Sequence, residues 1–308
     1  MSVLLQISDT HFGTEQPHVV EALVVLTTQL RPDLVVLSGD ITQRARPAQF
    51  RAAKAFVDRL GAPVLAIAGN HDIALFDLWA RFTRPYARYA SSFGSELEPV
   101  HASQDLLVVG VNTTRAWRHK NGEVSAAQID RVAKLLAAAS RQQLRVVVVH
   151  QPAAVIQVQD RPNLLRGHRI ATRVWSAAGA DLVMGGHIHL PYTLALNGLA
   201  RRLWVVQAGT AVSSRTRPGV PNSVNVLRWG EAGDHCLIEQ WDFAHADRVF
   251  VRTLVTSVQP DRAGSQGRVV QGTVPSFTCP RRVQTRGDAA SETSYFTNSE
   301  TKRSCFFR

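Results

Sequence analysis

Five short apolar runs of this sequence are each followed within a few residues by histidine, aspartate or asparagine, and this pattern constrains the fold more than any other feature. Since short apolar runs that alternate with amphipathic stretches are typical of βαβ units, we expect strands in a mixed or parallel sheet, with their carboxyl ends at one edge. Side chains from residue 9 to residue 189 should therefore converge. The runs, each paired with the residues directly after it, are 3–7 with SDTH, 34–37 with SGD, 64–68 with GNHD, 145–149 with HQP, and 182–184 with GGHIH.

The remaining patterns fill in the secondary structure. A sixth apolar run, 106–111, is also consistent with a buried strand. Amphipathic stretches at 19–30, 48–60 and 126–139 predict helices, and Ser125 with Gln128 three positions later forms a capping box before the last of them. From residue 202 to residue 241 strands and turns follow one another without a helix, which predicts a second, antiparallel-leaning sheet.

Length and composition exclude several classes of protein. A chain of 308 residues with 45% hydrophobic and 19% charged residues can bury a sizeable core. Its three cysteines, Cys236, Cys279 and Cys305, are widely spaced without a CxxC motif, so neither a disulfide framework nor a thiolate zinc site is predicted. No apolar run approaches the roughly 18 residues of a membrane helix, and residues 1–8 lack the basic segment of a secretory signal. We therefore expect a soluble, cytoplasmic protein.

The formal charge of +11 raises the question of a nucleic-acid partner. The basic residues are dispersed and form no block of the kind that marks a nucleic-acid arm, so a solvated basic surface is favoured.

From residue 256 the periodicity fails, and Ser, Thr, Gly, Arg and Gln dominate. We expect a folded domain over 1–255 and a disordered tail over 256–308, or alternatively a tail that is a shifted or fused reading frame.

The clusters after the strands predict chemistry only when they are taken together. Alone, a DxH or a GD segment is more typical of a surface turn, and His150 of a hydrogen-bonded residue at a strand end. Two imidazoles at a spacing of two, His187 and His189, can face one cavity after the double glycine. All five clusters, each at a strand end, predict a metal site.

Two weaker candidates lie outside these clusters. Asn112 and Arg115 either touch substrate or belong to a polar loop without a role. The segment from Ser213 to Asn222 is either a loop over the site or a simple turn.

The motifs DTH (9–11), GD (39–40), GNHD (69–72), His150 and GGHIH (185–189) resemble the complete signature of the calcineurin-like metallophosphoesterase superfamily. The resemblance covers roughly residues 1–255. Within the superfamily, the stretches LLQISDTHFG and GAPVLAIAGNHD are most similar to the bacterial group that includes class III cyclic-nucleotide phosphodiesterases. The resemblance to the superfamily implies an α/β fold in which a layered β-sheet sandwich is flanked by helices.

The resemblance also implies roles for individual residues. One metal ion would be held by Asp9, His11, Asp40 and His189, and the other by Asp40, Asn70, His150 and His187, with Asp40 as the bridge. His71 matches the superfamily's non-ligand histidine, which approaches the substrate phosphate and assists the leaving oxygen. Ala68 stands where protein Ser/Thr phosphatases of this superfamily carry an arginine, which argues against a phosphoprotein phosphatase.

The chemistry of the residues agrees with these roles. Two metal ions about 3.5 to 4 Å apart lower the pKa of a bridging water, so that a bridging hydroxide can act as nucleophile, and they hold the attacking and leaving oxygens in line. Two divalent ions outweigh the charges of Asp9, Asp40 and one hydroxide, so an anionic phosphoester is attracted. A set of imidazole, carboxylate and amide ligands without thiolate suits Mn, Fe or Zn.

We therefore expect a dinuclear phosphodiesterase for small phosphodiesters such as 3',5'-cyclic nucleotides, with His71 and Asp40 as its catalytic residues. The alternatives are a DNA or RNA nuclease of the same superfamily, which is possible but not favoured, and a non-catalytic scaffold with the same fold. The sequence does not indicate an oligomeric state or a membrane partner.

Overall fold

The strands of the protein lie in two six-stranded sheets. The computed structural model describes residues 1–75, 77–118, 120–230 and 235–262. Its strands are β1 (Ser2–Ile7), β2 (Leu34–Ser38), β3 (Val64–Ile67), β4 (Val100–Ala102), β5 (Leu106–Gly110), β6 (Leu144–Val148), β7 (Leu182–Gly185), β8 (Tyr192–Leu196), β9 (Leu203–Gln207), β10 (Ser223–Trp229), β11 (Cys236–Ala244) and β12 (Val249–Val258). All six apolar runs that predicted strands are strands.

The helices cover the outer faces of the sheets. They are α1 (Pro17–Leu30), α2 (Pro47–Asp58), α3 (Leu78–Thr83), α4 (Ala87–Phe93), α5 (Ala126–Ala138) and α6 (His168–Ala178). The three predicted helices correspond to α1, α2 and α5. The capping box of α5 is present, since Gln128 N donates to Ser125 Oγ (3.2 Å) and Ser125 N donates to Gln128 Oε1 (2.9 Å). No helix among the described residues is long and apolar enough to cross a bilayer.

The first sheet has the order β12-β11-β10-β1-β2-β3, and the second has the order β4-β5-β6-β7-β9-β8. In the first, β1, β2 and β3 are parallel to one another, while β10 to β12 are antiparallel. In the second, β5, β6, β7 and β9 are parallel, with antiparallel edge strands β4 and β8. Each sheet therefore brings several strand carboxyl ends to one edge.

The prediction of a separate antiparallel sheet over residues 202–241 is wrong. β9 joins the second sheet in parallel to β7, whereas β10 and β11 extend the first sheet next to β1. A run of strands without helices does not reveal its partners, because the chain crosses from one sheet to the other within the loop after Gln207. The last strand runs to Val258, and residues 263–308 of the predicted tail lie outside the described residues.

Three apolar layers hold the sandwich together. Because side chains alternate along a strand, Leu4 of β1 packs between the sheets with Leu34 and Val146, while Val3 and Leu5 pack under α1 and α2. A third cluster lies under α5 and α6, where Trp175 is fully buried. The two sheets and their flanking helices confirm the predicted α/β sandwich, and they place two sets of strand ends side by side.

Candidate metal centre

The seven predicted ligands meet at the adjoining carboxyl edges of the two sheets. Atoms of six of them, together with those of His71, form overlapping groups in which the atoms lie within 4.8 Å of one another. The groups are Asp9, His11 and His189; His11, Asp40 and His71; and Asp40, His150 and His187. The seventh, Asn70, lines the same cavity as Asp40 and His187. The predicted convergence of residues distant in the chain is therefore present in the structure.

Asp40 lies at the centre of this arrangement. Its Oδ1 is 3.2 Å from His150 Nε2, and its Oδ2 is 3.8 Å from His11 Nε2. Asp9 lies beyond His11, with its Oδ1 3.2 Å from His189 Nε2. The two oxygens of Asp40 thus face two different groups of ligands, which is the arrangement that a bridging carboxylate requires.

The backbone of these residues is strained. Eight non-glycine residues have positive φ in the described part of the chain, and five of them are predicted ligands: Asp9, His11, Asp40, His187 and His189. Such conformations cost of order 1 kcal/mol or more each, and they concentrate at functional sites.

Backbone contacts between neighbouring strand ends hold the strained residues in place. Asp9 N donates to Gly39 O (3.1 Å), and His11 N donates to Asp40 O (3.0 Å), so the segments after β1 and β2 stay paired beyond the sheet. Asp72, the last residue of GNHD, accepts hydrogen bonds from Ile41 N, Thr42 N and Gly69 N at 2.8 to 3.0 Å. These bonds tie the segment after β3 to the segment after β2.

The histidines are oriented through their second nitrogen. Nδ1 of His150 donates to Ser38 O (2.9 Å), and Nδ1 of His189 donates to Arg215 O (2.5 Å). In both rings a proton on Nδ1 leaves the Nε2 lone pair for the centre. Histidines that ligate metals are fixed in this way by carbonyl or carboxylate partners.

Several buried polar atoms at the centre make no hydrogen bond to any described residue. They are Asn70 Oδ1 and both ring nitrogens of His187. Buried polar atoms in folded proteins are almost always satisfied, so a cluster of them calls for a partner. Nitrogen and oxygen atoms that lack partners and converge at one point fit metal ions.

The charges of the cluster also fit bound metal ions. Burial acts to raise the pKa of Asp9, yet the neighbouring histidines, His189 above all, lower it to about 2, and the pKa of Asp40 is also well below its usual value. Burial acts to lower the pKa of His150, but the Asp40 carboxylate raises it to about 9. Two buried carboxylates therefore attract positive charge, which cations would supply while displacing the imidazole protons.

A cavity of about 450 Å³ opens above the cluster. Asp40, Asn70 and the histidines His71, His187 and His189 contribute to its lining, and so do Lys120, Asp160, Asn163, Arg215 and Arg217. His71 Nδ1 lies 2.9 Å from Gln43 O, while its Nε2 lies 3.3 Å from Arg215 Nη1. The ring thus holds one nitrogen on the backbone and presents the other to Arg215.

Sequence reasoning missed the arginines of this cavity. They lie in the segment from Ser213 to Asn222, for which a loop over the site and a simple turn were both open, and the structure shows the loop. The feature that could have indicated this loop is β9. Because β9 runs parallel to β7, the loop after β9 lies at the same edge of the sheet as the histidines after β7. In contrast, Arg115 hydrogen-bonds to Gln128 Oε1 and to backbone carbonyls, and neither it nor Asn112 lines the cavity.

The curated relatives that this chain matches are described as phosphodiesterases. The family model of the calcineurin-like phosphoesterases matches residues 2–191. A probable cyclic nucleotide phosphodiesterase of Synechococcus sp. is 30% identical over 163 residues, which cover 52% of this chain and 59% of that protein. A cAMP/cGMP dual specificity phosphodiesterase of Mycobacterium tuberculosis is 27% identical over 202 residues, or 61% of each chain.

The chain thus spans about six tenths of the length of these two relatives. Among solved structures, a dimetal phosphatase from Danio rerio superposes with a TM-score of 0.62 at 14% identity, covering 84% of this chain and 99% of that one. At that identity the likeness shows a shared fold.

Proposed function

This chain belongs to the calcineurin-like phosphoesterase family, and from that premise we propose that it is a dinuclear metal-dependent phosphodiesterase of small phosphodiesters, with 3',5'-cyclic nucleotides as the first candidates. The observation that carries the proposal is the position of Asp40. Its two oxygens face His150 on one side and His11 on the other. A single carboxylate can then join two metal ions.

The ligand set divides around Asp40. Asp9, His11, Asp40 and His189 would hold one ion, and Asp40, Asn70, His150 and His187 would hold the other. These ligands are nitrogen and oxygen atoms without thiolate, a set that suits Mn, Fe or Zn. When bound, the two ions supply Lewis-acid activation of water and neutralise charge on the phosphoryl group.

The side chains around the ions have roles of their own. His71 Nδ1 lies 2.9 Å from Gln43 O, and this contact fixes the ring with Nε2 directed to the cavity, where it would assist the leaving oxygen. The His187 backbone N–H donates to both oxygens of Asp9 (3.1 and 2.9 Å), and Ser8 Oγ donates to one of them (2.7 Å), so the Asp9 carboxylate keeps its direction. These contacts position the charged groups before substrate arrives, as electrostatic catalysis requires.

The substrate class is supported by the cavity and by the relatives. A volume of about 450 Å³ lies within the range of small-molecule sites, roughly 300 to 1,000 Å³. Two curated relatives carry cyclic-nucleotide or cAMP/cGMP phosphodiesterase descriptions. Both facts favour a small diester over a polymeric substrate.

The test is a substrate panel on protein of known metal content. Metal-loaded protein is offered bis(p-nitrophenyl) phosphate, p-nitrophenyl phosphate, cyclic AMP, cyclic GMP and single-stranded DNA. We expect two ions per chain and preferential turnover of the small diesters. DNA cleavage of comparable efficiency would instead indicate a nuclease, and two bound ions with no turnover of any ester would indicate a scaffold.

Asp40→Asn is the decisive variant to test with these substrates, because it should weaken the binding of both metal ions. We expect turnover to fall by several orders of magnitude. Asp130→Asn is the matched control, since Asp130 is exposed on α5 and pairs with Lys134 of the same helix. Wild-type turnover in Asp40→Asn would refute the metal assignment.

A further inference from the structure

Resting on the proposed function, we propose that Arg215 is a further substrate-binding residue, whose guanidinium binds the phosphoryl oxygens of the substrate and of the phosphate product. Arg215 belongs to the loop between β9 and β10 and lines the cavity above the predicted ligands. Neither the motifs nor the family match, which ends at residue 191, includes it.

The guanidinium of Arg215 lies across the cluster. Its Nη1 is 3.2 Å from His11 Nδ1, 3.3 Å from His71 Nε2 and 2.9 Å from Gln43 Oε1. It thus reaches one predicted ligand and the residue predicted to assist the leaving oxygen. A substrate group bound between the predicted metal ligands and His71 would contact this guanidinium.

The charge of Arg215 has no counterpart among the described residues. No ion pair joins it to a carboxylate, and its side-chain neighbours are an amide and two imidazoles. The nearby carboxylates Asp9 and Asp40 are predicted metal ligands, so bound ions would neutralise them. A guanidinium next to two cations is repelled unless an anion lies between them. A phosphoester or phosphate is an anion of that kind, and the guanidinium fork matches its oxygens.

Arg217, two residues further on, serves as the contrast. Its Nη1 donates to both oxygens of the buried Asp160 (3.0 and 2.9 Å), and its Nη2 donates to Gln157 Oε1 (2.9 Å). The charge of Arg217 is therefore neutralised, and its side chain fastens the loop to the 3-10 helix Val158–Asn163. One arginine anchors the loop, and the other is held out over the cluster.

The backbone of Arg215 is also fixed. Its carbonyl accepts the Nδ1 proton of His189 (2.5 Å), and its N–H donates to Ser213 Oγ (3.2 Å). Both contacts use main-chain atoms and would survive substitution of the side chain. A variant at residue 215 should therefore keep His189 oriented and the metal ions bound, which separates substrate binding from metal binding.

The experiment compares Arg215→Gln, Arg215→Lys and the control Arg51→Gln, since Arg51 is exposed on α2. Metal content is measured first. The binding of inorganic phosphate to metal-loaded protein is then measured by calorimetry, and kcat/KM is measured with bis(p-nitrophenyl) phosphate. We expect wild-type metal content in all three variants. Phosphate affinity should fall about 10- to 100-fold in Arg215→Gln, as for the loss of a charged hydrogen bond.

The phosphate affinity of Arg215→Lys should lie between those of Arg215→Gln and the wild type, because lysine keeps the positive charge but lacks the two parallel N–H donors of the guanidinium. Arg51→Gln should match the wild type. Wild-type phosphate affinity in both Arg215 variants would overturn the proposal, and so would loss of metal ions in Arg215→Gln, which would make the role structural.

Failure of the proposed function gives a different result. If metal-loaded wild-type protein hydrolyses no diester, yet its phosphate binding still depends on Arg215, the proposed activity is wrong and the anion-binding role stands. If the metal-loaded wild type binds no phosphate at millimolar concentration, the role of Arg215 is refuted directly.

Discussion

Gly69 allows the main chain after β3 to approach Asp40 more closely than any side chain could. A Cβ atom at residue 69 would lie 2.0 Å from Asp40 N, 2.2 Å from Asp40 Oδ1 and 2.7 Å from Asp40 Cα. Comfortable contacts of carbon need about 3.5 Å, so Gly69→Ala must separate the two segments by roughly 1 Å or more. The atoms in conflict include backbone, so no side-chain rotation can relieve them.

Gly69→Ala should therefore damage the centre more than the fold. Overpacking of this kind costs about 1 to 3 kcal/mol in the free energy of unfolding. A displacement of about 1 Å in a catalytic group costs about 100-fold in rate. Since Asp40 is the proposed bridge, we expect both metal ions to weaken and kcat/KM for bis(p-nitrophenyl) phosphate to fall at least 100-fold.

The control is Gly61→Ala, in the turn between α2 and β3. A Cβ atom there meets nothing within 4 Å, and the only cost is that of its positive φ of 66°, about 1 kcal/mol. Metal content is measured by elemental analysis, stability by thermal unfolding and turnover with the chromogenic diester. Full metal content and wild-type turnover in Gly69→Ala would refute the placement of Asp40 against Gly69.

Three further predictions concern stability. Burial acts to raise the pKa of Glu239, but hydrogen bonds from Trp241, Arg252 and Arg228 lower it below its ordinary value; Glu239→Gln should cost about 1 to 3 kcal/mol in chemical unfolding at pH 7. Because the lowered pKa stabilises the fold above pH 4.5, and this stabilisation is lost as the pH falls below that value, the difference should shrink on acidification, and a difference independent of pH would contradict it. Ser125→Ala removes the cap of α5 and should lower the unfolding free energy by about 1 kcal/mol, whereas an unchanged value would show that the cap is dispensable. Manganese added to metal-free protein should raise Tm with concentration, and less so in Asp40→Asn; equal shifts would argue against binding at Asp40.

The strands, the main helices and the convergence of the residues after the strands could be predicted because their signals are local. Each predicted ligand follows an apolar run within five residues, and parallel strands place such positions at one edge whatever the loops do. The same alternation of apolar runs and amphipathic stretches predicts βαβ units and a mixed or parallel sheet, whereas the layered sandwich is what the resemblance to the family implies. The residues from Asp9 to His189 are brought together in the structure as the motifs predict.

Features that depend on which distant strands pair with each other could not be predicted from local sequence patterns. The sequence from 202 to 241 shows strands, yet whether β9 pairs with β7 or with β10 is decided by packing between the sheets. The role of Arg215 depends on that pairing, because only a parallel β9 delivers the following loop to the ligands. The left-handed backbone of Asp9 and Asp40 also has no local signal, since neither residue is glycine.

The central claim is that Asp40 joins two metal ions. The most direct test is a crystal structure of manganese-loaded protein with anomalous diffraction at the manganese edge. We predict two anomalous peaks, with Oδ2 of Asp40 toward the ion held by Asp9, His11 and His189, and Oδ1 toward the ion held by Asn70, His150 and His187. A single peak, or two peaks with His150 or His187 turned away from them, would contradict it.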